Sequence, residues 1–263
     1  MGYPTVLIHG MWCTGRNWSR VVECLGPRGY DCHAPDLPAH EATPDQPLQV
    51  GAQSLTDYLA FLEDYVARQN FSQPPILIGH SMGGWLAQAL AARTKPLALV
   101  LLTPAAPAGI NGLRLSNLAA FGLHFLRWGF WHKPYKISPG LARKYAYNGL
   151  SPEQQNRLYS GLLHESGRAT AELAMWWADF GNAARVDRRQ VQCPVYVVGC
   201  AGDGLTPLPV VKKVAALYAQ SSLRIYTSRS HWVIDDAETE DMVHEFAGWL
   251  QPMVQKAQRQ KAA

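Results

Sequence analysis

Gly79-His80-Ser81-Met82-Gly83 constrains this chain more than any other stretch, because Gly-x-Ser-x-Gly set between a strand and a helix demands one particular sharp turn. Before it, Pro75-Ile76-Leu77-Ile78 is a short apolar run of strand character. After it, Gly84-Trp85-Leu86-Ala87-Gln88-Ala89-Leu90-Ala91-Ala92 carries Ala and Leu at helical density without a breaker. A serine at that junction has a strained backbone. Gly79 and Gly83 leave out the side chains that would collide where strand and helix cross, so the hydroxyl is pushed outward. The helix start adds free N–H groups and the positive end of its dipole, both suited to a developing oxyanion. The same five letters can also form an ordinary Gly/Ser turn, so the flanking elements carry the argument.

The rest of the chain repeats the strand-then-helix pattern. Thr5 to Ile8 reads as a buried parallel strand, followed by the loop His9-Gly10-Met11-Trp12 and a helix from Trp18 to Leu25. Tyr30 to Ala34 is a second strand. Leu55, Tyr58, Leu59, Leu62, Tyr65 and Val66 then fall at i, i+3, i+4 spacing, which predicts an amphipathic helix over 54–67. Leu97 to Leu102 is all apolar and is stopped by Pro104. The alternation resumes with strands at 194–198 and 223–227 and helices at 208–218 and 238–250. Such alternation predicts right-handed crossovers and a mostly parallel α/β sheet covered on both faces.

Residues 105–189 break the pattern. Helical stretches interrupted by Gly and Pro replace the strands, and aromatics are dense, so this segment is expected to be a helical cap inserted into a core made of 1–104 and 190–255. It holds 11 Lys/Arg against 5 Asp/Glu, a net of +6, and leaves 13 against 15 elsewhere. A solvated helical surface accounts for that asymmetry more simply than anion steering does. Most of the aromatics belong to the cap's own small core. Trp12, Trp85, Trp128, Trp131, Trp176 and Trp177 are nevertheless candidates for lining a substrate pocket. The polar tail 256–263 is expected to be disordered.

A serine hydroxyl is a weak nucleophile and needs a base within reach, held in the right tautomer by an acid. Asp203, in Gly199-Cys200-Ala201-Gly202-Asp203-Gly204, and His231 each lie just past the C-terminal end of a predicted parallel strand, 28 residues apart. In an open α/β sheet those loops meet at the edge where Ser81 emerges. Either residue alone could be a turn or surface group. Asp235 and Asp236 sit too close behind His231 to reach around it, and Asp187 is held in reserve as an acid. Of the competing bases His9, His40 and His80, the last is rejected because a residue beside the strained serine points away from it. His9 is rejected because its loop is needed for the oxyanion hole. There the backbone N–H groups of Met82 and Met11 are the chosen donors, with Trp12 as substitute for Met11.

Together, His9-Gly10 and Trp18, Asp36-Leu37-Pro38, the Gly-His-Ser-Met-Gly-Gly turn, Asp203 and Ser-His231 resemble the α/β-hydrolases over nearly the whole chain. The triad order Ser, Asp, His agrees. The first hundred residues are most similar to small-ester hydrolases that include plant methylesterases and hydroxynitrile lyases. Gly10 and Trp232 stand where those lyases tend to carry Thr and Lys, which counts against lyase chemistry. Ala39 and Glu41 replace glycines usual in the family and affect a loop near the site. The resemblance implies a sheet of about six strands without the family's usual antiparallel edge. It also implies a serine carboxylesterase that works through an acyl-enzyme on small to medium apolar esters, with no cofactor and no metal. The same triad could cleave lactones, thioesters or a C–C bond, or run perhydrolysis, and the fold could instead serve as a small-molecule receptor.

The formal charge of +4 comes without a dense Lys/Arg run, which argues against a nucleic-acid partner. No apolar run is long enough for a stable membrane span. An N-terminus without a charged leader and five cysteines without paired spacing predict reduced thiols and a cytoplasmic location. Met1-Gly2 lacks the Ser or Thr at position 6 that myristoylation would require. Monomer and homodimer remain equal expectations.

Overall fold

The apolar runs form a six-stranded sheet, all parallel, in the computed structural model, which describes residues 2–112, 121–122 and 124–262. The strands are β1 Tyr3–Ile8, β2 Tyr30–His33, β3 Ile76–His80, β4 Ala98–Leu102, β5 Val195–Cys200 and β6 Ser221–Tyr226. Their order is β2-β1-β3-β4-β5-β6. Every residue of β1, β3, β4 and β5 is buried, as continuous apolar runs in a doubly covered sheet should be, whereas the edge strand β6 is largely exposed. Alternation then divides the side chains between two cores. Leu7, Ile78, Val100 and Val198 face one layer, and Val6, Leu77, Leu99 and Val197 face the other.

Helices α1 (Ser19–Leu25) and α9 (Thr239–Ala262) cover the first face. The second face is covered by α3 (Leu55–Gln69), α4 (Met82–Thr94) and α8 (Leu208–Ala215). A short α2, Gln46–Val50, precedes α3. Ser54 starts α3 through a capping box with Asp57, and Leu55, Tyr58, Leu59 and Leu62 form its buried stripe. Helix α4 is apolar all round and buried along most of its length because sheet, α3 and the insertion enclose it.

Between β4 and β5 lie α5 (Pro139–Tyr145), α6 (Pro152–Ser160), α7 (Gly167–Ala174) and two 3₁₀ turns. Positions 113–120 and 123 of the expected helical insertion are outside the described residues. Among its described residues the segment contains a strand-like feature that its composition does not announce, an antiparallel bridge between Tyr135 and Glu165.

The expected disorder of 256–263 is corrected. Helix α9 continues through Pro252 to Ala262, with Ala263 outside the described residues. Met253, Val254 and Ala257 extend its apolar face onto the first core, and Gln, Lys, Arg and Ala between them are good helix formers. Among the described residues no helix is long and apolar enough to cross a membrane, and all five cysteines are free thiols.

Candidate active site

Ser81 ends β3 and caps α4 with φ 56° and ψ −122°, a backbone state that costs on the order of 1–3 kcal/mol for a residue with a side chain. Neighbouring glycines make it possible. A Cβ on Gly79 would overlap the carbonyl of Gly83, and one on Gly83 would overlap the carbonyls of Ile8 and His9. Those are backbone atoms of central elements and cannot give way. Gly83→Ala is therefore expected to lower stability by about 3 kcal/mol, roughly 6–12 °C in Tm. A thermal melt within a degree of the parent would contradict this packing.

The candidate base and acid, His231 and Asp203, lie on neighbouring loops. His231 Nδ1–H donates to Asp203 Oδ2 at 2.9 Å, with both residues buried. The other carboxylate oxygen, Oδ1, accepts the backbone N–H groups of Leu205 and Thr206, each at 2.8 Å. The Thr206 hydroxyl lies 2.7 Å from Oδ2 and 2.9 Å from the Thr103 carbonyl. The backbone carbonyl of His231 is held in turn by His80 Nε2–H at 3.0 Å and by the Thr103 hydroxyl at 3.2 Å. The two loops are joined by Gly202 N–H to Arg229 O, and Arg229 makes a buried two-point ion pair with Asp236 at 2.7 and 2.9 Å. Ser81 and His231 share a cavity, and among the described residues their side chains are not hydrogen-bonded to each other.

The rejected bases have structural work. His80 backs His231, and its imidazole is held neutral because burial, reinforced by the neighbouring His231, pushes its pKa down to about 3. His9 donates from Nδ1 to Gly10 O at 2.9 Å and accepts Leu37 N–H at Nε2, and burial drops its pKa to about 3 as well. Asp235 pairs with Arg157 across to α6. The Asp187 carboxylate accepts the nearby Arg189 N–H in an exposed turn, and its carbonyl accepts Gln190 N–H.

The loop after β1 is pinned through the carbonyl of Gly10. Gly10 O accepts from His9 Nδ1 and from Cys13 N–H, which in a trans peptide turns Met11 N–H the opposite way. Trp12 N–H, the substitute donor, is taken by Glu165 Oε2 at 3.4 Å. In α4, Ser81 O accepts from Gly84 and Trp85, while Met82 N–H belongs to the unpaired first turn. Met11 and Met82 line the Ser81 cavity together.

Two apolar cavities meet at the serine. The larger, about 750 Å³ with its open mouth, is lined by Met11, Met82, Ile110, Phe121, Leu173 and Val210 among others. The smaller, about 280 Å³, contains His231 with Ala146, Tyr147, Leu162 and Trp232. Of the six candidate tryptophans, Trp12 lines both. The other five are corrected. Trp85 is fully buried in the second core with Nε1 donating to Ala184 O, because its place on α4 aims it at the insertion's base rather than the cavity. Trp176 packs against that same core. Trp128 and Trp177 are exposed, and Trp131 stacks edge-on against Trp128 and Phe130 at the surface. The cap side of the larger cavity is mostly aliphatic, with Thr170, Leu173 and Ala174 from α7, residues that no motif marks.

The insertion also touches the loops that carry Asp203 and His231. Tyr145 O accepts Gly204 N–H, Ala146 O accepts Trp232 N–H, and Asn148 donates to Gly202 O at 2.7 Å. Among the described residues no three of His, Cys, Asp and Glu come together in a way that could hold a metal ion.

Residues 5–247 match the model of the alpha/beta hydrolase family. Across 245 residues the chain is 36% identical to a pimeloyl-(acyl-carrier protein) methyl ester esterase of Chromobacterium violaceum, covering 88% of this chain and 87% of that one. A shorter likeness, 39% over 87 residues, relates 32% of this chain to a pyrethroid hydrolase of Sphingobium wenxiniae, of whose length it spans 30%. The fold superposes on a monoacylglycerol lipase of Paleococcus ferrophilus with a TM-score of 0.71 at 19% identity, over 96% of this chain and 97% of that structure.

Proposed function

This chain belongs to the alpha/beta hydrolase family, and from that premise we propose that it is a serine carboxylesterase acting through an acyl-enzyme on Ser81. The observation that carries the reading is the buried Asp203–His231 hydrogen bond, with His231 opening into a cavity it shares with the strained Ser81, and with Met11 and Met82 lining the serine's larger cavity. In the first step His231 Nε2 takes the Ser81 proton as Oγ attacks the ester carbonyl, and the two amides receive the oxyanion. The imidazolium, oriented by Asp203, then gives that proton to the leaving alkoxide. Water, deprotonated by His231, attacks the acyl-enzyme, and collapse of the second intermediate returns the proton to Ser81 and releases the acid.

The leaving oxygen must sit beside His231 to be protonated, which puts the alcohol in the smaller cavity and the acyl chain in the larger. Substrates of this class are esters of small alcohols with medium-sized apolar acids. The methyl ester named for the Chromobacterium violaceum relative is of the same kind.

Two isomeric esters test the division. Methyl hexanoate is expected to be cleaved with a kcat/KM about tenfold or more above that of pentyl acetate, since each misplaced methylene costs about 1 kcal/mol or more. Equal values, or a preference for pentyl acetate, would sink the cavity assignment. Faster turnover of ε-caprolactone or of the hexanoyl thioester would move the chemistry from esters to those bonds.

A further inference from the structure

Trp12 has φ 65°, a left-handed backbone that a bulky residue adopts only where its surroundings impose it. The imposing groups come from the insertion. Leu163 N–H donates to Trp12 O at 2.8 Å, Trp12 Nε1–H donates to Tyr135 O at 3.1 Å, and Glu165 Oε2 takes Trp12 N–H. Tyr135 and Glu165 are themselves locked by the antiparallel bridge, with N–H···O distances of 2.8 and 2.9 Å.

Glu165 is fully buried and serves three core elements at once. Its Oε1 accepts from the Tyr58 hydroxyl of α3 and from its neighbour Ser166 N–H, both at 2.7 Å. Its Oε2 accepts from His40 Nε2 at 3.2 Å as well as from Trp12. His40 Nδ1 faces the Pro38 carbonyl at 3.0 Å. Both ring nitrogens therefore meet acceptors, so the ring carries two protons and is cationic. Burial opposes both charges, yet the pairing prevails: His40 is raised above the usual imidazole range, and Glu165 is held below the usual carboxylate range. His9, whose ring is centred 5.0 Å from that of His40, and Asp36 are the other ionisable groups that act on His40. A buried carboxylate with four donors, one of them the cationic His40 ring, is fully satisfied and rigid.

Met11 lies between two pinned peptides. The one before it is fixed by His9 through Gly10 O, and the one after it by Glu165 through Trp12 N–H. The geometry points to Glu165 as a positioning residue: by holding Trp12 N–H it fixes the far end of the Met11 backbone, steadies the loop that offers Met11 N–H to the oxyanion and keeps Trp12 N–H out of the site, so that the oxyanion hole is complete only when segment 163–166 is seated against the core.

This inference rests on the esterase reading of Ser81. Its test is Glu165→Gln, which keeps the shape but removes the charge and replaces one acceptor with a donor. The kcat for methyl hexanoate is expected to fall roughly 10- to 100-fold, part of the about 100- to 1,000-fold that losing a whole oxyanion donor costs. KM should stay within about threefold, because the interaction lost is one made in the transition state. The Ki of a trifluoromethyl ketone, which forms the tetrahedral oxyanion on Ser81, should rise by the same factor as kcat falls. An unchanged kcat, a rise in KM alone, or a fall in kcat without weaker ketone binding would each overturn the proposal.

Should Glu165→Gln fail to fold, Gln46→Leu reads the same coupling. Gln46 ties segment 163–166 to the core through Ala39 O, His164 O and His164 N–H without touching the cavity. Parallel losses in kcat and ketone affinity are expected, and parent values for both would overturn the idea. A parent protein without turnover overturns the esterase reading together with this one. A turning-over parent with unaffected variants overturns this one alone.

Discussion

Replacing Ser81 with alanine is expected to abolish ester turnover, lowering kcat by a factor on the order of 10⁴ to 10⁶. Labelling by a fluorophosphonate should vanish with it. The loss is large because the acyl group would have no Ser81 hydroxyl to receive it in the cavity shared with His231. Alanine keeps the Cβ and the positive φ, so the variant should fold and melt close to the parent. Glycine at the same position separates strain from chemistry. Ser81→Gly should be equally inactive but should melt higher than Ser81→Ala, because it relieves about 1–3 kcal/mol stored at φ 56°. A Ser81→Ala protein that keeps its labelling or more than about a hundredth of parental turnover would exclude Ser81 as the nucleophile.

Asp203→Asn should cost about 10⁴ in kcat through the tautomer of His231. Oδ1 accepts the Leu205 and Thr206 amides, so an asparagine keeps its oxygen there and turns its NH₂ toward Oδ2's partners. One of those partners is His231 Nδ1 at 2.9 Å. Facing a donor, Nδ1 must present its lone pair, the proton moves to Nε2, and the base can no longer take a proton from Ser81. The fold should be nearly unaffected, because shape and backbone contacts persist. Asp187→Asn is the control and should leave kcat at the parental value, since that side chain only stabilises its own exposed turn. The reverse pattern in steady-state kinetics would reassign the acid.

The sheet and the serine turn were readable from sequence because their causes are local. Apolar runs such as Leu97–Leu102 have no stable place except a buried strand, and Gly79 and Gly83 are needed by atoms within a few residues or on the adjacent strand. Asp203 and His231 could be located because parallel topology sends both loops to one edge. The lining of the cavity was not readable in the same way. In a thin helical layer every helix has apolar residues, and tertiary packing decides which meet substrate. Thus Trp85, Trp128 and Trp177 went to a core or to solvent while Thr170, Leu173 and Ala174 reached the cavity. Glu165 and Thr206 were invisible for a different reason. Their importance lies in partners 107, 125 and 153 positions away, or in a carboxylate that the sequence shows only as a neighbour. The ordered end of α9 depended likewise on a stripe at Met253, Val254 and Ala257 that a polar composition concealed.

The backbone links from Tyr145, Ala146 and Leu163 to the loops of Asp203, His231 and Trp12 bear on how such a protein can be re-engineered. An insertion that only covered a pocket could be exchanged between relatives as a cassette to change substrate preference. Here the transplanted piece would also have to deliver two carbonyl oxygens to Gly204 and Trp232 and one N–H to Trp12, at matching positions. Selectivity and rate are inherited together, and recombination across this boundary should yield far more inactive chimaeras than re-specified ones. Changes confined to Thr170, Leu173 and Ala174 reshape the larger cavity while leaving those joints intact.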